Sequence, residues 1–151
     1  MKIAAALAAV VMIGASPAAS APVTTLTDRE LVWARPEGQD LKARIYRPAI
    51  AGDKPLPLII DVHGGAWSAF DRNAGELYGK RLAEAGFTVI AIDFRQGPAF
   101  KHPRASADVS AAVRWARLNA KALKIDPTRI GLVGSSSGGH LALLAALRPA
   151  H

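Results

Sequence analysis

Residues 130–147 read IGLVGSSSGGHLALLAAL, and this stretch decides the fold. Its apolar first part predicts a buried strand, and its leucine- and alanine-rich end predicts a helix. The connection between them contains the pattern G-x-S-x-G, with Ser136 at the centre. Where this pattern joins a strand to a helix, the serine occupies a strained turn that exposes its hydroxyl above the sheet. Gly134 and Gly138 lack the side chains that would keep the strand and the helix apart.

A second glycine motif follows the apolar strand predicted at residues 58–62. The chain continues from that strand into His63-Gly64-Gly65-Ala66-Trp67. Consecutive glycines let a backbone turn sharply and present N–H groups, which are the donors that acyl transfer needs for the oxyanion at an attacked carbonyl. Alone, the motif equally fits a simple turn in which Trp67 is a buried anchor and His63 a hydrogen-bonded scaffold residue. Together with the serine turn, it favours catalysis.

Strand and helix patterns alternate from residue 58 onward. Asp71–Gly86 and Arg104–Lys124 have helical periodicity, and Phe87–Ile92 between them is strand-like. This alternation predicts an α/β fold, with a mostly parallel sheet, right-handed crossovers and flanking helices.

A hairpin is predicted before this alternating region. The strand-like segments Asp28–Arg35 and Asp40–Arg47 are joined by a Pro-Glu-Gly turn, which is typical of an antiparallel pair at a sheet edge. In the second segment, Leu41, Ala43 and Ile45 are expected to face the core, while the basic residues, including Arg47, are expected to face solvent.

Composition narrows the functional classes. The chain has 151 residues, of which 50% are hydrophobic, so it is long enough for one domain with a real core. It has no cysteine, which excludes disulfides and thiolate metal sites. The formal net charge is +7, but the charges are scattered with no basic block, so we expect no nucleic-acid partner. The acidic residues and histidines show no metal-ligand spacing, and we predict no metal and no cofactor.

The amino terminus predicts a secretory signal peptide over residues 1–21. Lys2 is followed by an uninterrupted run of apolar and small residues at 3–14, and by a small-residue cleavage region at 16–21. The apolar run is shorter than the roughly 20 residues that span a bilayer, so we expect no stable membrane anchor, although a retained anchor is the alternative. The expected product is a periplasmic or secreted protein whose domain covers residues 22–151.

Four segments together resemble α/β-hydrolases, and they are His63–Trp67, Asp93–Arg95, Asp108–Trp115 and Asp126–Ala142. The nearest groups are the hormone-sensitive-lipase-like esterases and the feruloyl-esterase-like or acetyl-xylan-esterase-like hydrolases. The H-G-G-x-W form also resembles kynurenine formamidases. The resemblance extends over about residues 30 to 147.

The resemblance implies a serine hydrolase that acts on a small-molecule substrate. Ser136 would be the nucleophile that forms an acyl-enzyme. The main-chain N–H groups of Gly64, Gly65, Ala66 and Ser137 would form the oxyanion hole. A carboxylic ester is the expected substrate, with formamide or peptide hydrolysis as alternatives. The acyl and alcohol groups of the substrate and the oligomeric state are not indicated by the sequence.

The chain departs from the family in its proton relay. The family order is serine, then an acid, then histidine, but only His140 and His151 follow Ser136. His140 lies one helical turn beyond the serine and is expected to be structural, and the resemblance gives Asp93 and Asp108 scaffold roles. We therefore expect the N-terminal portion of a hydrolase, without its C-terminal strands and helices and without the triad acid and histidine, inactive when alone. A catalytically inactive, hydrolase-like binding fragment is the alternative.

Overall fold

The computed structural model describes residues 25–147. The predicted signal peptide and His151 lie outside these residues. The described chain forms, in order, β1 (Leu26–Ala34), a 3₁₀ turn (Pro36–Gly38), β2 (Leu41–Pro48), a 3₁₀ turn (Ala49–Ala51), β3 (Leu56–Val62), α1 (Glu76–Glu84), β4 (Thr88–Ile92), α2 (Arg104–Leu118), α3 (Ala120–Leu123), β5 (Ile125–Gly134) and α4 (Ser137–Leu147).

The five strands form one sheet in the order β1-β2-β4-β3-β5. β1 pairs antiparallel with β2, and β2 antiparallel with β4, whereas β3 pairs parallel with both β4 and β5. All strands except β2 therefore run in the same direction. The predicted α/β fold with a mostly parallel sheet and an antiparallel hairpin at its edge is confirmed.

Helices cover both faces of the sheet. The larger core joins the inner faces of the strands to α2 and α4 and includes Leu58, Ile60, Val109 and Leu141. A smaller core on the other face packs Tyr46, Ala83 and Val89 under α1. Every residue of β4 is buried, as expected of a central strand covered on both sides.

Two predicted helices are shorter than expected. Residues 72–75 form turns and α1 begins only at Glu76, because Asp71 accepts a hydrogen bond from the N–H of Asn73 at 2.9 Å. Such side-chain contacts compete with helix formation. Leu77 lies in this helix and is 77% exposed, so it does not contribute to the core under α1. The second helix breaks at Asn119, whose side chain donates to the carbonyl of Trp115.

Arg47 is buried, and the expectation that it faces solvent was wrong. Its guanidinium donates to the hydroxyl of Thr88 at 2.9 Å and to the carbonyls of Lys124, Gly52 and Lys54 at 2.8, 3.1 and 2.5 Å. The loop after β2 closes over this side chain, so its charge is stabilised by carbonyl oxygens in place of water. Burial lowers the pKa of Arg47.

Ion pairs fix the segments that follow β4. The guanidinium of Arg95 binds the buried carboxylate of Asp108 through two bonds of 2.9 and 2.7 Å, which ties the end of the sheet to α2. Asp93 accepts from the N–H and the guanidinium of Arg72, both at 2.9 Å. Both aspartates therefore make structural contacts.

The outer edge of β5 has no neighbouring strand among residues 25–147. Beside it lies a groove of about 880 Å³ between α2 and α4, with mostly apolar lining residues such as Val113, Leu132 and Leu143. None of the helices in the described range is long and apolar enough to cross a membrane.

Candidate active site

The two glycine motifs meet at the carboxyl ends of β3 and β5. These strands are parallel neighbours, and the last residues of each, Val62 and Gly134, are paired. The chain leaves β3 for β4 on one side and returns through α2 to β5 on the other, so β3 lies where the strand order reverses. Open α/β sheets bind ligands at such a point, beyond the carboxyl ends of the strands.

Ser136 occupies the turn that the sequence predicts. Its φ is +51°, a left-handed conformation that costs a non-glycine residue about 1–3 kcal/mol, and the residue is exposed. The close crossing of strand and helix enforces this turn. A Cβ on Gly134 would lie 2.5 Å from the carbonyl carbon of Gly138, and a Cβ on Gly138 would overlap the carbonyl oxygen of Val62. The absence of both side chains therefore lets α4 begin directly above the sheet.

Gly64 brings the second motif against the serine turn. A Cβ at Gly64 would lie 3.0 Å from the carbonyl oxygen of Ser135 and 3.5 Å from Cβ of Ser136. A pocket of about 680 Å³ opens at this contact, and its lining residues are Gly64, Gly65, Ala66, Ser68, Ala69, Phe70, Ala74, Ser135 and Ser136.

Main-chain donors are available around this pocket. In the described chain, the N–H groups of Gly64, Gly65 and Ala66 make no hydrogen bond to a backbone or side-chain atom. Ser137 is the first residue of α4, and its N–H likewise has no acceptor among the turn and cap contacts of residues 25–147. The side chain of Ser137 is buried, so this residue could contribute only through its main chain.

Backbone strain is concentrated beside the pocket. Ala66, Trp67 and Phe70 have φ values of +50°, +61° and +67°, and Gly65 has +120°. A tight turn imposes these angles, because the carbonyl of Gly65 accepts from the N–H groups of Ser68 and Ala69 at 3.0 and 2.9 Å. Left-handed residues of this kind cluster at active sites and ligand clamps.

His63 is buried beside the glycine loop and holds the start of that loop. Its ring is 2% exposed, stacks on Phe94 with centroids 4.5 Å apart, and places Nδ1 2.6 Å from the carbonyl oxygen of Gly64. With the proton on Nδ1 it donates to that carbonyl, which fixes the start of the loop. The scaffold interpretation of His63 fits this geometry, whereas Trp67 is 49% exposed and is not the buried anchor considered above.

His140 is on the surface of α4, next to the pocket. Its ring packs edge-on against Trp67, with centroids 5.7 Å apart, and its main-chain N–H donates to the carbonyl of Ser136 at 3.2 Å. Within residues 25–147, no histidine ring forms a hydrogen bond with the Ser136 hydroxyl. The described part of the chain therefore contains a candidate nucleophile and candidate oxyanion donors, but no histidine in position to accept the proton of the serine.

The sequence analysis missed two residues, which are Asp61 near the end of β3 and Phe70 at the pocket. Asp61 is 1% exposed, and burial raises the pKa of its carboxyl despite a hydrogen bond from the hydroxyl of Tyr78. The sequence signal for Asp61 was the presence of a carboxylate within an otherwise apolar strand. Phe70 lines the pocket and is 71% exposed, and no local pattern marked it. Residues 25–147 contain no group of histidine, aspartate and glutamate side chains that could hold a metal ion.

A serine on a strained strand-to-helix turn, beyond the carboxyl end of a strand in a mostly parallel sheet, defines the class of α/β-hydrolases, and solved esterases share this fold. Within that class, the chain belongs to the BD-FAE family, which matches residues 44–151.

Similar proteins carry esterase names. Esterase LipC of Mycobacterium tuberculosis is 41% identical over 104 residues, which are 68% of this chain and 26% of that protein. Ethyl acetate hydrolase of Pseudomonas putida is 38% identical over 116 residues, 73% of this chain and 35% of that protein. Esterase 2 of Thermogutta terrifontis, solved after phosphorylation by paraoxon, is 30% identical with a TM-score of 0.72, covering 76% of this chain and 45% of its own. The chain thus spans about a quarter to a third of the length of these curated relatives.

Proposed function

We propose that this chain carries the nucleophile and the oxyanion-binding donors of a carboxylic ester hydrolase that works through an acyl-enzyme. The observation that carries the proposal is the contact between the two motifs. The strained, exposed Ser136 lies against Gly64, and unpaired main-chain N–H groups border the same pocket. The esterase names of the relatives support the same reaction.

In the proposed reaction, the oxygen of Ser136 bonds to the ester carbonyl carbon and loses its proton to a base. The carbonyl oxygen becomes an oxyanion, which the N–H groups of Gly64, Gly65, Ala66 and Ser137 stabilise. The alcohol then leaves with a proton, and an acyl-serine remains. Water attacks the acyl-serine, releases the carboxylic acid and restores the hydroxyl.

We assign the base to no residue between 25 and 147. His63 is committed to the carbonyl of Gly64, and the ring of His140 packs against Trp67. We expect this chain alone to acylate slowly, because removing a member of such a triad typically lowers the rate by several orders of magnitude.

Short aliphatic esters are the proposed substrate class. One relative is named ethyl acetate hydrolase, and Thermogutta terrifontis esterase 2 has been solved with butyrate and with propionate bound. The pocket of this chain has no charged lining residue, which suits an uncharged ester.

Mass spectrometry of the acylated protein tests the proposal. The chain is incubated with excess p-nitrophenyl acetate or paraoxon and then digested. We expect one adduct on the peptide that contains Ser136, no such adduct in Ser136→Ala, and an unchanged adduct in Ser110→Ala. Ser110 is the matched control, because its hydroxyl donates to a carbonyl inside α2. Labelling that is equal in the chain and in Ser136→Ala would remove Ser136 from the mechanism.

Export through residues 1–21 is a separate proposal, supported by the charged, apolar and small-residue order of that segment. The mass of the protein recovered from an exporting host tests it. A mature amino terminus near Ala21 is expected, and a retained Met1 would contradict it.

A further inference from the structure

One side chain dominates the pocket beside Ser136. Of the lining residues, only Phe70 is large, and all the others are glycine, alanine or serine. The size and the apolar character of this space therefore depend on the position of a single ring.

The ring is held in place by its backbone. The turn closed on the carbonyl of Gly65 brings the chain back on itself, and a Cβ on Gly65 would lie 3.0 Å from Cδ2 of Phe70. The carbonyl of Phe70 accepts from the side chain of Gln96 at 3.1 Å, which fixes the end of the turn. The ring thus lies directly against the backbone of a candidate oxyanion donor.

This position is costly for a phenylalanine. Its φ of +67° is a left-handed conformation that glycine adopts without strain and that is an outlier for a bulky residue. The ring is also 71% exposed, so burial within the fold does not compensate for the strain. A strained, exposed aromatic side chain at the wall of a pocket is explained if a bound ligand covers it.

We infer that Phe70 is a specificity-determining residue: its ring is the wall on which the apolar chain of an uncharged ester packs while the carbonyl faces Gly64 and Gly65. This inference rests on the proposed function for the choice of ligand. Each methylene that packs on the ring strengthens binding about fourfold, since burying one CH₂ corresponds to about 0.8 kcal/mol. Selectivity for longer chains is therefore expected to depend on this side chain.

The decisive variant is Phe70→Gly, which removes the ring and also relieves the backbone strain. Binding is measured in the Ser136→Ala background by saturation-transfer NMR, so that no ester is cleaved. Two series of probes are used: ethyl acetate against ethyl butyrate, and ethyl acetate against butyl acetate. We expect Phe70→Gly to reduce the preference for the longer ester at least about fourfold in one series, while stability to urea is equal or higher.

Ile50→Ala is the matched control, because Ile50 is also a large apolar residue, 92% exposed, and does not line the pocket. It is expected to leave both preferences unchanged. A preference that Phe70→Gly leaves intact in both series, or that Ile50→Ala reduces equally, would overturn the inference. Because these measurements are of binding alone, failure of acylation at Ser136 refutes the proposed reaction without deciding the role of Phe70.

Discussion

Helix α4 crosses closely over β3 at Gly138. We therefore expect that a methyl group added at this position would destabilise the fold strongly. A Cβ there would overlap the carbonyl oxygen of Val62 and lie 2.5 Å from that of His63. Both are backbone atoms at the end of a central strand, which is paired on both sides with β4 and β5. No side-chain rotation can relieve the contact, so α4 must move away from the sheet.

The magnitude follows from two opposing effects. Replacing glycine by alanine inside a helix normally stabilises it by about 1 kcal/mol. Forcing extra volume into a packed site costs about 1–3 kcal/mol and more where backbone must shift. Because the contacts at Gly138 involve only backbone, we place the cost at about 3 kcal/mol. After the gain in helix propensity, we expect Gly138→Ala to lower the free energy of unfolding by about 2 kcal/mol.

Gly139→Ala is the matched control. It lies in the same helix, but its Cβ would meet the carbonyl oxygen of Gly134 at 3.0 Å, a contact that a shift of a few tenths of an ångström relieves. Urea unfolding followed by far-UV circular dichroism should therefore place Gly138→Ala about 2 kcal/mol below Gly139→Ala. Gly138→Ala should also label more slowly at Ser136, because the helix carries the serine with it. Equal stabilities of the two variants would refute the close crossing of α4 over β3.

Three further outcomes are expected. Asp108→Asn should lower the free energy of unfolding by about 3 kcal/mol in urea titrations, because it leaves the buried guanidinium of Arg95 without its main partner; a loss below about 0.5 kcal/mol would contradict this. The side-chain hydroxyl and the N–H of Thr128, with a nearby guanidinium, lower the pKa of Asp126 to about 2. These contacts therefore stabilise the fold above the ordinary pKa of an aspartate, and the stabilisation is lost as the pH falls through about 2. NMR titration of the Asp126 carboxyl should show the lowered pKa, and Thr128→Val should raise it. Burial raises the pKa of Asp61, so its carboxylate destabilises the fold increasingly as the pH rises above its ordinary pKa; Asp61→Asn should stabilise the chain more at pH 7 than at pH 4, and an equal effect at both pH values would be inconsistent with that cause.

The features that sequence predicted well are those set by local pattern. The apolar run before Gly134 and the small residues after it determine a strand, a turn and a helix within a few positions of one another. The same holds for the strand before the glycine pair at 64 and 65. Parallel neighbours align their carboxyl ends, and in the structure the two motifs lie together there, with Gly64 against Ser136.

The features that sequence did not predict depend on distant partners. Arg47 continues an alternating strand, and its burial follows only from the loop and the carbonyl of Lys124 that close around it. Helix α1 begins late because Asp71 competes for backbone N–H groups, and because Arg72 is bound to Asp93 from another strand end. Phe70 is exposed because of the turn to which it belongs. The positive φ values of the non-glycine residues in that turn could not be predicted from their residue types.

The parallel pairing of β3 with β5 also governs when the pocket can form. The glycine loop and the serine turn are far apart along the chain, because β4 and α2 lie between them in sequence. Contacts of such high sequence separation are slow to close, because the entropy of the intervening loop is lost before any pairing rewards it. During synthesis on the ribosome, the loop after β3 emerges well before its partner. Competence to bind a ligand at Ser136 should therefore appear only after β5 has paired with β3, so ligand binding can serve as a kinetic marker for that pairing.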